Sequence, residues 1–214
     1  EAVLIKDTAE AKKVIDTGKV PLIVDPDGAS ITALKPDVVV DAILAKKNFG
    51  TNRSMAPLTV GLGPGFTAGV DVDIVIETMR GHNLGRIIRE GSAIPNTGIP
   101  GNIGGYTAER VIHAGAEGIL YNVHKIGDIV EQGEEIAYIA DEKENRRYSV
   151  TATIPGIIRG LIRDGYPATK GFKIADIDPR KSELSNCFTI SDKARCIAGS
   201  VLEVVCAFGS NILS

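Results

Sequence analysis

Tryptophan is absent, and the 214 residues hold only 5 Tyr and 5 Phe. Stacking platforms for bases are therefore scarce, and Lys+Arg 24 against Asp+Glu 27 leaves a net charge of −3, so a nucleic-acid groove is not expected. No apolar run approaches the ~20 residues that cross a bilayer. No basic-then-apolar leader opens the chain, so secretion is unsupported and a cytoplasmic protein with no membrane partner is expected. Methionine is missing from the first position, which is Glu1, and this suggests a fragment or a trimmed chain. Cysteine is scarce too. Cys187, Cys196 and Cys206 fall in the last 28 residues with no Cys-x-x-Cys, which argues against a disulfide framework or zinc. Reduced, mostly buried thiols are expected; a reactive Cys187 just ahead of a helix N-terminus is the sharper alternative.

Glycine is what the chain has in quantity, 24 residues, within a globular balance of 43% hydrophobic and 24% charged residues. The length allows one large domain or two small ones. The first third reads as alternating strands and helices. Ala2 to Ile5 is a strand, Asp7-Thr8 caps a helix over Ala9 to Thr17, and Val20 to Val24 is a second strand closed by Asp25-Pro26-Asp27-Gly28. Val38-Val39-Val40 opens a third strand running into Asp41-Ala42-Ile43-Leu44, with further strands at Leu58 to Leu62, Ile74 to Ile76 and Ile87-Ile88. Near-continuous β-branched runs between helices predict an α/β fold with a parallel sheet buried on both faces.

Between Gly50 and Tyr106 lie 12 glycines, half the total, in stretches with little expected regular structure. Farther on, Gly118 to Asp141 aligns with Gly156 to Pro179 at a constant offset of 38 residues, with seven identities in 24 columns. This indicates an internal duplication in which each copy reads strand, glycine turn, short strand, glycine turn, strand. Ile126-Gly127-Asp128-Ile129-Val130-Glu131-Gln132-Gly133 and Ile154-Pro155-Gly156-Ile157-Ile158 resemble the biotinyl/lipoyl-type barrel-sandwich. That resemblance would present Lys143 on a hairpin, but acidic neighbours and an altered spacing favour a plain charged turn. A tail helix over Ser191 to Cys206 sets Ala194, Ile197, Val201 and Val205 on one face, with no chemistry of its own beyond the thiols. The expected organisation is an α/β domain over 1–115, incomplete at its N-terminus, a duplicated β barrel-sandwich module over 116–180, and a C-terminal segment over 181–214.

The glycine-rich middle is the best site candidate. Gly61-Leu62-Gly63-Pro64-Gly65 follows a strand, where α/β folds place ligands. Pro64 and Gly65 break the dinucleotide Gly-x-Gly-x-x-Gly spacing and Gly69 arrives late, leaving an anion loop or an ordinary tight turn. Nearby polar residues favour the first. Asp41, Lys46, Lys47, Asn48 and Thr51 follow the third strand, while Glu77, Arg80, His82 and Arg86 sit in a glycine-flanked connection suited to phosphate or carboxylate. The bland alternative pairs those arginines with Asp71, Asp73 and Glu90. The candidate ligand-binding set is Asp41, Lys46, Gly61, Gly63, Gly65, Thr67, Gly69, Glu77, Arg80, His82 and Arg86. His113 and His124 stand apart from any carboxylate cluster in the sequence, so no metal is expected, and no catalytic triad or paired-carboxylate arrangement follows from spacing.

Val60-Gly61-Leu62-Gly63-Pro64-Gly65-Phe66-Thr67-Ala68-Gly69-Val70-Asp71, Arg80-Gly81-His82-Asn83-Leu84-Gly85-Arg86, Glu90-Gly91-Ser92-Ala93-Ile94-Pro95-Asn96-Thr97-Gly98 and Cys187-Phe188-Thr189-Ile190-Ser191-Asp192-Lys193-Ala194 occur in order. Together they resemble the YqeB-type family of the selenium-dependent molybdenum hydroxylase system, over essentially the whole chain. The resemblance implies an accessory or maturation role beside a xanthine dehydrogenase-like enzyme. Its partners would be that hydroxylase or its maturation proteins, with a homo-oligomer as a further option. A hydroxylase itself would need iron–sulfur cysteines and much more chain, and the sequence has neither. Family members usually carry a glycine-rich strand-loop-helix ahead of the point where this chain begins. The leading expectation is an accessory protein binding an anionic nucleotide or molybdopterin-type ligand, cofactor identity open. A small NAD- or nucleotide-dependent enzyme using His82, Asp41 or Glu77 is the alternative, and a structural docking scaffold is the second.

Overall fold

The computed structural model describes residues 1–98, 101–141 and 145–210. The chain divides into two compact units, one of Glu1–Asn96 with Asp192–Ser214, the other of Thr97–Ser191. The break after Asn96 differs from the expected 115/116 boundary because Val111–His113 and Arg110 pair with the strand Lys173–Asp178. Residues 181–191 join the second unit as well, where Lys181 forms an ion pair with Glu131. Lys143 lies outside the described residues.

In the first unit, β1 (Ala2–Ile5) and β2 (Val20–Ile23) pair in parallel, Leu4 opposite Leu22. Between them Asp7 and Glu10 form a capping box over one 3-10 turn, followed by α1 (Ala11–Ile15), shorter than the expected helix. The pair stands as a two-stranded sheet of its own and does not extend the parallel sheet as anticipated. One of its faces is uncovered, leaving Leu4, Val20, Leu22 and Val24 exposed. α2 (Ala29–Leu34) starts where the Asp25 carboxylate accepts the amides of Ala29 and Ser30.

β3 (Val38–Asp41), β4 (Leu58–Leu62), β6 (Ile74–Ile76) and β7 (Ile87–Ile88) form a mixed sheet in that order, and β5 (Thr67–Ala68) pairs with β8 (Gly91–Ser92) in a separate ribbon. β3, β4 and β6 are parallel, whereas β7 is antiparallel to β6. The connection over 77–86 is too short for a crossover, so an all-parallel sheet is not attainable there. β3 also ends at Asp41 and does not reach Leu44, whose φ of 59° leaves the strand.

Every residue of β4 is buried. Leu58, Val60 and Leu62 join Ile74 and Ile76 in a cluster capped by Ile197 and Val204 of α3 (Asp192–Gly209), with Val201 and Phe208 packed against it. The inward stripe of α3 is thus Ile197, Val201, Val204 and Phe208, and the exposed Ala194 of the expected stripe faces solvent. On the opposite face Phe66, Ala68, Val72, Val75 and Ala93 form a second cluster, and a Cβ on Gly61 would meet the Phe66 ring at 2.6 Å. Gly61 is glycine because that ring lies on the strand.

The second unit holds two four-stranded sheets. β13 (Arg146–Thr151), β12 (Glu135–Asp141), β10 (Gly118–Asn122) and β15 (Tyr166–Ala168) form one; β9 (Val111–His113), β16 (Lys173–Asp178), β14 (Gly156–Leu161) and β11 (Ile129–Val130) form the other. Their registers coincide when one is shifted by 38 residues. Leu120 pairs with Ile139 as Ile158 pairs with Ile177, and Ala137 pairs with Val150 as Ala175 pairs with Ile112. Leu120, Ile136, Ile139, Ile158, Ile174 and Ile177 share one core. Arg110, 8% exposed, sits under Asp176 at 3.2 Å and donates to the Ile177 carbonyl.

His124 corrects the sequence reading. Its Nδ1 lies 3.2 Å from Asp128 and its Nε2 3.1 Å from Glu134, so it does meet carboxylates. The two ring nitrogens point in opposite directions, which makes this a clamp between two acids and not a chelate. Among the described residues no group of three or more His, Cys, Asp or Glu is arranged to hold a metal ion. Cys187 is half-buried within the 3-10 segment Lys181–Phe188, so it does not sit at the start of α3, and all three cysteines are free.

Candidate functional site

Parallel pairing brings the carboxyl ends of β3, β4 and β6 to one edge of the first unit, at Asp41, Leu62 and Ile76. Three loops and the start of α3 meet there. The turn Gly63-Pro64-Gly65 lies between two of them. A Cβ on Gly65 would stand 2.6 Å from Lys47 Cα, and one on Gly63 would stand 2.5 Å from Thr78 Oγ1. Both glycines have positive φ, 85° and 109°, so they admit a chain path and a close approach that other residues would not. Their space is filled by protein, which favours the tight-turn reading over an open anion loop. The Gly63 amide is also committed, donating to the Ile76 carbonyl at 2.8 Å.

The two buried carboxylates of the candidate set are committed to hydrogen bonds within their own loops. Asp41 accepts the Ile43 amide at 3.0 Å and the Thr51 hydroxyl at 2.6 Å. Asn48 closes the same loop on the amides of Gly50 and Thr51. Glu77 is 2% exposed and accepts the amides of Met79 at 2.7 Å and Ile94 at 2.8 Å. Each carboxylate orders a loop, and neither is positioned to move a substrate proton.

The cations behave differently. Arg80 makes a two-pronged contact with Asp192, at 2.7 and 3.0 Å, which ties the 77–86 connection to the first residue of α3. This fork and the Lys193 amide hold the Asp192 carboxyl well below the usual range. Lys193 follows on the same first turn. Burial pushes its ammonium down, the positive charges of Lys46 and Arg80 push it further, and Glu77 opposes them weakly. Lys46, in a left-handed conformation at φ 65°, therefore lies within electrostatic reach of a lysine from the far end of the chain. Its neighbour Lys47 places its ammonium over the Phe49 ring instead. Lys46 and Arg80 thus lie within electrostatic reach of Lys193, with the Arg80 charge countered by Asp192.

The remaining predicted residues sit apart from that cluster. The Thr67 amide donates to Asp71, and its hydroxyl contacts Ser92, within the β5–β8 ribbon. The Gly69 amide bonds the Val72 carbonyl, and its own carbonyl accepts from Arg53. Among the described residues the exposed side chains of His82 and Arg86 make no hydrogen bond or ion pair. Arg80 pairs with Asp192 and Asp73 with Arg53, in place of the alternative pairing with Asp71, Asp73 and Glu90. An open cavity of ≈ 780 Å³ lies elsewhere in the unit, lined by Ile31, Met55 and Pro57 with Asp27, Lys35 and Asp37. None of the predicted site residues borders it, and two acids against one lysine do not suit an anion.

No family model matches the chain. Against curated proteins it is 50% identical, over 202 residues and 94% of its length, to "Uncharacterized protein YqeB" of Escherichia coli strain K12. The chain belongs to the YqeB family. It spans only 36% of that relative's length. Solved structures give partial likenesses to this YqeB-family chain. A succinylglutamatedesuccinylase/aspartoacylase from Rhodobacter sphaeroides matches with a TM-score of 0.31 and 21% identity, over 33% of this chain and 22% of that one. The product-bound ectoine utilization protein EutE (DoeB) from Ruegeria pomeroyi matches at 0.29 and 13%, over 44% and 28%. Overlaps of this size carry no argument about function.

The residue that sequence reasoning missed in this YqeB-family chain is Lys193, together with its neighbour Asp192. The tail read as an amphipathic helix without chemistry. A lysine in a helix's first turn, where the dipole disfavours a cation, was the available signal.

Proposed function

We propose that this YqeB-family chain is an accessory, non-catalytic or weakly catalytic part of a selenium-dependent molybdenum hydroxylase system, and that it holds an anionic nucleotide or molybdopterin-type ligand. The observation that carries the ligand reading is the gathering of Lys46, Arg80 and Lys193 at the carboxyl ends of β3, β4 and β6. The connection to the hydroxylase system rests on the family. Commitment of Asp41 and Glu77 to loop amides weighs against the alternative of a small nucleotide-dependent enzyme, because it leaves exposed His82 without a catalytic partner. The 38-residue coincidence of registers supports reading the second unit as a duplicated barrel-sandwich that serves for docking.

The test is a thermal-shift panel of nucleotides and pterin dinucleotides, joined to a hydroxylase maturation assay in cells carrying Arg80→Ala. Stabilisation by at least one ligand and impaired maturation are expected. No ligand response together with normal maturation would sink the assignment.

A further inference from the structure

Independently of the ligand reading above, we infer that a second copy of this chain docks along β3, so that the loop 42–51 of each copy seats in the open cavity of the other. Three observations lead there.

First, the loop holds apolar side chains out into water. Ile43 is 67% and Phe49 64% exposed, and the Lys47 ammonium stands 4.7 Å over the Phe49 ring. The backbone beneath them is tied down. Asp41 accepts the Ile43 amide and the Thr51 hydroxyl, while Asn48 accepts the amides of Gly50 and Thr51 and donates to the Thr51 carbonyl at 2.7 Å. Lys47 lies with its backbone against Gly65. Leu44 and Lys46 take left-handed φ values of 59° and 65°, a conformation that costs energy in residues other than glycine. A loop ordered in this way has little freedom left to lose, so its apolar tip is preorganised for a partner.

Second, the complementary surface belongs to the same unit. The cavity of ≈ 780 Å³ has Ile31, Met55 and Pro57 in its lining beside the exposed Asp27, Asp37 and Lys35. The side chains of Asp27 and Asp37 form no hydrogen bond or ion pair among the described residues, and two acids against one lysine leave the lining net negative. The loop has the opposite sign, because no Asp or Glu occurs between Ala42 and Val70. An apolar, cationic tip therefore faces an apolar, acidic hollow of complementary charge.

Third, β3 supplies the way the two surfaces meet. It is an edge strand, bonded to β4 alone among the described residues. Val38-Val39-Val40 carries none of the charges or prolines that keep an open edge from pairing, and Val40 is 37% exposed. Asp37, which lines the cavity, immediately precedes β3, and Ala42, which opens the loop, immediately follows it. The two features are thus one strand length apart, about 13 Å for four residues. Antiparallel pairing of two β3 edges sets the carboxyl end of each against the amino end of the other. Both loops then reach both cavities in a single twofold, self-complementary contact.

Light scattering on the eluting chain, loaded at about 1 to 100 μM, tests this. A dimer is expected, and Phe49→Ser and Lys47→Glu should each raise its dissociation constant at least about tenfold, whereas Leu22→Ser, on the exposed face of β2, should change it less than about twofold. Asp37→Lys should weaken the dimer as Lys47→Glu does, since each places like charges at both contacts. Mixing those two variants should restore dimers, because in the mixed pair both contacts again join opposite charges. Circular dichroism confirms that each variant is folded, as expected for changes at exposed side chains. A monomer throughout the range, a dimer indifferent to Phe49→Ser, dissociation by Leu22→Ser as strong as by Phe49→Ser, or growth beyond two copies would each overturn the inference. Failure of the mixed variants to pair would overturn it as well. The anionic-ligand reading stands or falls separately, by its own thermal-shift panel.

Discussion

Glu77→Gln separates a loop-ordering carboxylate from a catalytic one, and its cost can be worked from the contacts. The two Glu77 oxygens accept amides at 2.7 and 2.8 Å, in a side chain that is 2% exposed. A hydrogen bond to a charged acceptor contributes about 1.5–3 kcal/mol, and a buried donor left unpaired costs about 1–3 kcal/mol. Glutamine keeps a carbonyl for one amide but turns an NH2 toward the other, replacing a bond with two facing donors. The expected loss is about 2–4 kcal/mol, against a total stability of about 5–15 kcal/mol for a typical domain. Urea unfolding at pH 7, followed by circular dichroism with the slope held common to both proteins, reads it directly. Glu77→Ala should cost at least as much, since it abandons both amides. A Glu77→Gln midpoint within about 0.5 kcal/mol of wild type would refute the structural role and return Glu77 to the list of groups free to act on a ligand.

Two further outcomes follow from the same reasoning. Burial raises the Asp73 carboxyl, but the Thr59 hydroxyl and amide and Arg53 outweigh it, so the group sits below its ordinary value. A lowered carboxyl stabilises fully above its unfolded value of about 4 and loses that contribution as pH falls through the folded value. Asp73→Asn should thus cost about 1–3 kcal/mol at pH 7, with the difference closing as the pH falls below about 4; parallel stability curves would contradict this. In the second unit, a Cβ on Gly118 would strike the Ala140 carbonyl and an Ile139 methyl at 2.8 Å, and one on Gly156 the Asp178 carbonyl and an Ile177 methyl at 2.8 Å. Alanine at either should cost about 2–4 kcal/mol, and alanine at Gly133 or Gly171, which have positive φ and open space, only about 1–2 kcal/mol. Equal melting temperatures for the Gly118 and Gly133 variants would contradict it.

Local pattern was legible where burial is two-sided. The segments Leu58–Leu62 and Ile74–Ile76 are strands because both their faces are covered, by α3 and by the Phe66 cluster. The glycines at a 38-residue spacing were legible for a steric reason: Gly118 and Gly156 lie under equivalent carbonyls. Direction and sheet membership were harder. The reversal of β7 follows from the length of 77–86, a constraint that residue types do not display. The separation of β1 and β2 from the larger sheet has no local signal either, since Leu4 and Leu22 read as buried strand residues yet are exposed. At the site, Asp41 and Glu77 looked like acids awaiting a substrate because spacing does not reveal hydrogen bonds to loop amides. Lys193 was missed because its partners Lys46 and Arg80 belong to the other end of the sequence and meet it only through tertiary structure.

The packing of α3 on β4 and β6 has a consequence for the order in which the polypeptide acquires structure. One face of those strands is covered by Ile197, Val201, Val204 and Phe208, residues translated after the whole of Thr97–Ser191. On the ribosome the second unit has all its strands available while the first still lacks the helix that covers Leu58, Val60 and Leu62. Vectorial synthesis therefore favours maturation of the later segment ahead of the earlier one. Through that interval the strands Leu58–Leu62 and Ile74–Ile76 are a window for chaperone capture, closed when α3 docks.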